Sequence, residues 1–130
     1  MSHYLLDANV LIALTVVEHE HHERAATWLP TVDRFAVCPV VEGALVRFLV
    51  RIGESTRTAS EILSGVWAHP RCEFWPDDLS YRDVDLTVVR GHRQVTDTYL
   101  VGLARGHDGM LATFDSALVA AHPRSSVLIG

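Results

Sequence analysis

Short apolar runs alternate with longer amphipathic stretches along the whole chain. His3-Tyr4-Leu5-Leu6 is rich in strand formers and ends at Asp7-Ala8-Asn9, after which Val10-Leu11-Ile12-Ala13-Leu14 turns apolar again. This pattern reads as a buried strand, a polar break and the opening of a helix. Glu20 to Leu29 is charged, with Ala25, Ala26, Trp28 and Leu29 as an inner face, and Pro30 ends a short amphipathic helix. Phe35 to Cys38 is a second strand. Pro39 then suits the first turn of a helix, because its missing N–H is one that would go unpaired there. Val41, Leu45, Phe48 and Leu49 form the buried stripe of that third helix, and Gly53 closes it. A fourth helix runs from Ser55 to Trp67, with Ala59, Ile62, Leu63 and Val66 inward, and stops before Pro70.

Cys72 to Trp75 forms a third strand, broken by Pro76-Asp77-Asp78. The spacing predicts a fifth helix over Tyr81 to Val89, with Gly91 beyond it. Thr96 and Asp97 open a sixth, with Leu100, Leu103 and Ala104 inward and Gly106 at its close. Met110 to Thr113 is a fourth strand, Asp115 to Ala121 a short helix, and Val127 to Ile129 a last strand. No repeat, linker or low-complexity tract divides the chain, so residues 1–130 are expected to form one domain. Strands alternating with helices predict an α/β fold, a three-layer α/β/α sandwich with a central, mainly parallel sheet.

That fold class places several acids together. In a parallel sheet each strand ends at the same edge, each following helix begins there, and ligands bind outside it. Asp7 ends the first strand, Glu42 lies in the opening turn of the helix after the second, and Asp115 follows the fourth strand. Asp97 opens a helix with no clear strand before it. An acid at a helix start is ordinarily a cap, worth about 0.3–1 kcal/mol. Asp7 asks for more, because it interrupts an apolar run where an unpaired carboxylate is costly to bury. Converging carboxylates suit a hard dication such as magnesium, which takes oxygen ligands together with waters and substrate phosphates.

Composition narrows the class. The chain has 130 residues, 48% hydrophobic and 21% charged, which sets disorder aside. No apolar run approaches the ~18 residues of a membrane span. Met1-Ser2-His3-Tyr4 lacks the basic region of a secretory signal, so a cytoplasmic protein is expected. Cys38 and Cys72 lie in strand-like runs without metal-ligand spacing and read as small buried hydrophobes. The net charge is −5 and all eleven basic residues are arginine, scattered along the chain. A nucleic-acid binder usually carries the opposite sign. A chain of this charge would meet a phosphate only if a cation turned a negative pocket into a phosphate site.

Leu5-Leu6-Asp7-Ala8-Asn9-Val10-Leu11-Ile12, Pro39-Val40-Val41-Glu42, Val95-Thr96-Asp97-Thr98-Tyr99-Leu100 and Leu111-Ala112-Thr113-Phe114-Asp115 stand in the order and spacing of a PIN domain. Across nearly its whole length the chain resembles the VapC-type toxins of bacterial toxin–antitoxin pairs. The resemblance implies an endoribonuclease dependent on magnesium or manganese, a homodimer, and a small antitoxin whose tail blocks the acidic pocket, meeting it with an arginine. Carried over, the metal-binding and catalytic acids are Asp7, Glu42, Asp97 and Asp115. Asp7, Glu42 and Asp97 would hold the first ion, and Asp115 would contact it directly or through water. Asn9, Thr96 and Thr113 match polar positions that orient ligands or water. The attacking group would be a metal-activated water. Which RNA is cut leaves no short motif.

Other features read plainly. His19, His21 and His22 among glutamates point in different directions on a helix and read as a solvated helix start. His107 and Asp108 follow Gly106 in a turn. Arg47, five residues after Glu42, is a surface arginine or a contact to a substrate phosphate or an antitoxin carboxylate. Trp28, Trp67 and Trp75 read as core or interface fillers before they read as base-stacking platforms. The apolar excess of residues 55–67 and 81–89 fits a dimer or antitoxin contact. Two rivals remain: a PIN-like binding module without chemistry, and a haloacid-dehalogenase-like phosphatase. The second requires an Asp where Asn9 stands and a later lysine, which the chain lacks.

Overall fold

The computed structural model describes residues 3–130. Met1 and Ser2, part of the leader argument above, lie outside the described residues. Five strands form the sheet: β1 (His3–Leu6), β2 (Arg34–Val37), β3 (Cys72–Phe74), β4 (Met110–Thr113) and β5 (Ser126–Leu128). Their order is β3-β2-β1-β4-β5 and every pairing is parallel, so the sheet is wholly rather than mainly so. The helices are α1 (Ala8–Thr15), α2 (His22–Trp28), α3 (Pro39–Arg51), α4 (Thr56–Trp67), α5 (Gln94–Gly106) and α6 (Ser116–Ala121).

Strand order decides where the helices go. From β1 the chain steps outward to β2 and then β3, and right-handed crossovers put α1 to α4 on one face. The next step returns past β1 to β4 and then out to β5, which puts α5 and α6 on the other. The reversal falls between β1 and β4. Such a switch point opens a crevice at the carboxyl ends of the two strands, where open α/β sheets bind ligands.

The core is built from both strand faces and the inner helix stripes. Leu5, Leu6, Val37, Leu111 and Ala112 of the sheet meet Leu11 of α1, Val41 and Leu45 of α3, and Leu100 and Leu103 of α5, all essentially without exposure. Pro39 takes the first position of α3 as expected, and Ser55 caps α4 by accepting from the Thr58 N–H at 3.0 Å. Asp108, at φ 57°, ends the α5 region in the left-handed conformation, and Gly109 then enters β4. A Cβ on Gly109 would lie 2.8 Å from the His3 carbonyl oxygen and 2.8 Å from the Trp75 ring. A strand carbonyl cannot retreat, so Gly109→Ala is expected to cost about 1–3 kcal/mol in urea unfolding.

Three expectations need correction. Residues 81–89 are not a helix: a single 3-10 turn, Tyr81–Asp83, gives way to irregular chain. The Ser80 hydroxyl accepts from the Arg82 N–H, and the Asp85 carboxylate from the Thr87 N–H and hydroxyl. Short polar side chains that capture nearby backbone N–H groups stabilise turns at the expense of helix. Pro30 does not stop α2 abruptly, because a 3-10 turn, Leu29–Thr31, continues it. Ala26 is exposed rather than on the inner face, where Ala25 is the buried residue. Both cysteines are free: Cys38 is buried and Cys72 half-buried, and burial pushes each thiol up to about 11.

Candidate active site

Asp7 leaves β1 in extended backbone and caps α1, its Oδ1 accepting from the Ala8 N–H at 2.8 Å. Its Oδ2 accepts from the Thr113 hydroxyl at 2.7 Å, across the reversal between β1 and β4. Thr113 Oγ1 in turn accepts from the Asp115 N–H at 3.1 Å. Asp115 caps α6, its Oδ1 accepting from the Ala117 and Leu118 N–H groups at 2.9 and 3.1 Å. A chain of hydrogen bonds thus runs from the end of one strand to the start of the helix after its neighbour. It fixes two carboxylates with one threonine.

Asp97 arrives on the first turn of α5, on the opposite layer. Its carboxyl is pushed up to about 6, by burial first and then by the charges of Asp7 and Asp115. Asp7 is raised as well: burial dominates, Thr113 and Ala8 pull it down, and Asp115 pushes it up. Three acids from the ends of β1 and β4 and from α5 therefore share one field. Beside them is a recess of about 50 Å³ lined by Asp97, Thr98, Asp115, Gln94, Val88 and His122.

Glu42 stands apart. It occupies the first turn of α3 at the same edge, yet its Oε2 accepts from the indole N–H of Trp67 at 2.6 Å. The charges that raise Asp97 are those of Asp7 and Asp115, whereas Glu42 acts on Cys72. The structure brings together Asp7, Asp97, Asp115 and Thr113, and turns Glu42 toward α4. Asn9 and Thr96 are exposed on the first turns of α1 and α5.

Among the described residues no three His, Cys, Asp or Glu side chains are gathered closely enough to enclose an ion by themselves. A magnesium-type ion asks for less, since one or two carboxylates suffice when waters and substrate phosphates complete its shell. The donors fit such an ion. All are oxygen, and two of the acids are held above their ordinary range partly by the charge of neighbouring acids, Asp115 acting on Asp7 and both of these on Asp97, a repulsion that a cation relieves.

Sequence reasoning missed Thr98, buried beside Asp97 in the recess wall; its only signal was its adjacency to that acid. Trp67, read as a core or interface filler, is not in the core: it is 53% exposed and engages Glu42, a contact the sequence did not announce. The other tryptophans do fill the core. Trp75 is buried and Trp28 packs edge-on against Tyr4 at 5.4 Å. The histidine-rich segment is less solvated than expected. His22 Nδ1 lies 2.7 Å from the Ala13 carbonyl oxygen, and His21 and the Arg24 guanidinium lie 4.9 and 4.8 Å from the Phe114 ring. His107, read as a bare turn, stacks on Trp75 at 4.5 Å and contacts Asp78 at 3.0 Å. Arg47 is exposed on α3.

Comparison with known proteins defines the class. The PIN domain profile matches residues 4–122. The chain belongs to the PIN domain family. Within that family it is 57% identical over 126 residues to Ribonuclease VapC29 of Mycobacterium tuberculosis, covering 96% of this chain and 95% of the relative. Ribonuclease VapC39 of the same organism is 35% identical over 124 residues, covering 88% and 89%. Among solved structures, VapBC2 from Rickettsia felis bound to a promoter DNA fragment superposes with a TM-score of 0.70 at 12% identity, covering 98% of this chain and 99% of that one. A toxin–antitoxin complex from Klebsiella pneumoniae gives 0.69 at 15%, covering 98% of each. These two likenesses show the fold.

Proposed function

We propose that the chain is the toxin of a type II toxin–antitoxin pair, a cytoplasmic, homodimeric endoribonuclease dependent on magnesium or manganese. The observation that carries this reading is the hydrogen-bonded chain from Asp7 through Thr113 to Asp115 at the switch point, beside a recess that Asp115 and Asp97 line together. A pocket so negative, on a chain of net charge −5, repels an RNA phosphate unless a cation intervenes. The ribonuclease relatives support RNA as the substrate, and the toxin–antitoxin complexes among the similar structures support an antitoxin partner. Among the described residues no helix is long and apolar enough to cross a membrane.

When bound, the dication supplies charge neutralisation at the scissile phosphate and a water acidic enough to attack it. The side chains divide the remaining work. Asp7, gripped by Thr113 and Ala8, is the rigid anchor, and Thr113 sets its angle relative to Asp115. Asp115 keeps Oδ1 on the α6 amides, which fixes its carboxylate at the start of that helix. Asp97 closes the pocket from the α5 side, and Glu42 would add a further carboxylate from α3 on leaving the Trp67 indole. Asn9 and Thr96, exposed at the rim, supply polar contacts to water or substrate. An antitoxin segment that blocks this pocket would present an arginine, whose planar fork matches a carboxylate pair. The phosphatase alternative is disfavoured, since Asn9 offers no carboxylate and no lysine is present.

The test pairs calorimetric titration of the full chain with magnesium and manganese with cleavage of a mixed RNA pool. Saturable binding and cleavage abolished by chelator are expected. At a hundred times its dissociation constant the ion should stabilise the fold by about 2.7 kcal/mol. Undiminished cleavage in excess chelator would overturn the reading, and binding without cleavage would leave a silent binding module.

A further inference from the structure

Trp67 ends α4 with 53% of its surface exposed, yet its one polar atom donates to Glu42 at 2.6 Å. Burial does not account for a large aromatic ring left half in water. The hydrogen bond joins a neutral donor to a carboxylate, the stronger class of such bonds.

Glu42 is rooted at the same sheet edge as Asp7. Leu5 of β1 is in register with Ala36 of β2, so two residues on Asp7 lies level with Cys38, the cap of α3. The Glu42 N–H donates to the Cys38 carbonyl at 3.0 Å, which sets Glu42 one helical turn beyond that point. One turn rises about 5.4 Å and neighbouring strands lie about 4.8 Å apart, so Asp7 and Glu42 are rooted roughly 7 Å from one another, a gap that their two side chains with a dication between them can span. From this root the carboxylate has two destinations, the acid cluster or the indole of α4. Entering the cluster without a cation would add a fourth negative charge to three that already repel. The indole offers a donor instead, and the structure shows Glu42 there.

We propose that Trp67 is a positioning residue that parks the Glu42 carboxylate away from Asp7, Asp97 and Asp115 until a dication enters, and then releases it. The inference rests on the metal-dependent reading above and adds an internal competitor for one of its ligands. It predicts that Trp67 opposes metal binding, although it touches neither metal nor substrate.

The test uses the full chain labelled with nitrogen-15, in which the indole N–H signals of Trp28, Trp67 and Trp75 are followed through a magnesium titration, with Trp67→Phe identifying the signal concerned. The Trp67 signal should move with the calorimetric midpoint while the other two hold still. In Glu42→Ala it should begin at the released position and ignore magnesium. Trp67→Phe should bind magnesium about fivefold more tightly, as loss of a competing bond of about 1 kcal/mol requires. That gain should vanish in the Glu42→Ala background. A Trp67 signal unmoved at calorimetric saturation, or equal or weaker binding by Trp67→Phe, overturns the proposal and leaves the metal-dependent reading standing. A wild-type chain that binds neither magnesium nor manganese overturns both.

Discussion

Asp7→Asn is expected to slow RNA cleavage by roughly 10³-fold at saturating magnesium, the scale of removing a preorganised charge from a reacting centre. Asparagine keeps the shape of the side chain, and its Oδ1 can still accept from the Ala8 N–H that Asp7 caps. Its amide would face Thr113, whose oxygen already accepts from the Asp115 N–H. The hydroxyl oxygen has a second lone pair for the new donor, but its own hydrogen loses the acceptor it had. That loss costs about 1 kcal/mol. Against it stands the relief of no longer burying a charge, since burial is the largest cause of the raised Asp7 carboxyl. The two effects nearly cancel, so urea unfolding should move little while kcat/KM collapses. Asp7→Ala would be a poorer probe, because it also strips a helix cap worth about 1 kcal/mol. Retention of more than a tenth of wild-type cleavage by Asp7→Asn would remove Asp7 from the centre of the site.

The contrast between Asp7 and Glu42 marks how far the sequence alone reaches. Asp7 and Asp115 were legible because one directly follows an apolar strand run and the other comes two residues after one, and a parallel sheet fixes where such residues go. The reversal between β1 and β4 then places both at one crevice. Asp97 had no strand before it and was assigned by family resemblance. Its approach to the other acids depends on α5 crossing to the opposite layer, a tertiary fact. Glu42 was placed correctly on α3 at the right edge, but the direction of its side chain depends on α4 packing alongside α3. That neighbour is 25 residues away in the chain and no local pattern announces the contact.

The false helix at residues 81–89 has a different origin. Its apolar residues have helix-compatible spacing, and periodicity does not weigh the competing bonds of Ser80 and Asp85. The segment serves the fold as loop. Leu79, just before it, accepts the Tyr99 hydroxyl hydrogen bond at 3.0 Å through its carbonyl, and the Leu79 and Val84 side chains pack over Gly102 of α5. Tyr81 and Leu86 remain 44% and 45% exposed, so only part of the expected apolar excess is absorbed by the core.

Asp97→Asn should raise the melting temperature of the metal-free chain and abolish its stabilisation by magnesium, with cleavage falling about as far as in Asp7→Asn. The Asp97 carboxyl is lifted from 3.8 to about 6 in the folded chain. Between those values the native state holds more proton than the unfolded one, so stability falls as pH rises through the interval and stays lower above it. Asp97 is half-buried, so solvent screening reduces the effect to about 1 kcal/mol near neutrality. In a domain of this size that corresponds to roughly 3–5 °C, which the asparagine variant should recover. Magnesium inverts the sign, because the ion favours the ionised carboxylate that burial and the neighbouring acids oppose. Affinity should therefore weaken about tenfold per pH unit below about 6, as a proton competes for Asp97, and level off above it. Calorimetry in two buffers of different ionisation enthalpy reads the same event as proton release near pH 6. Magnesium affinity independent of pH between 5 and 7, or an unaltered metal response in Asp97→Asn, would exclude Asp97 from the ion's surroundings.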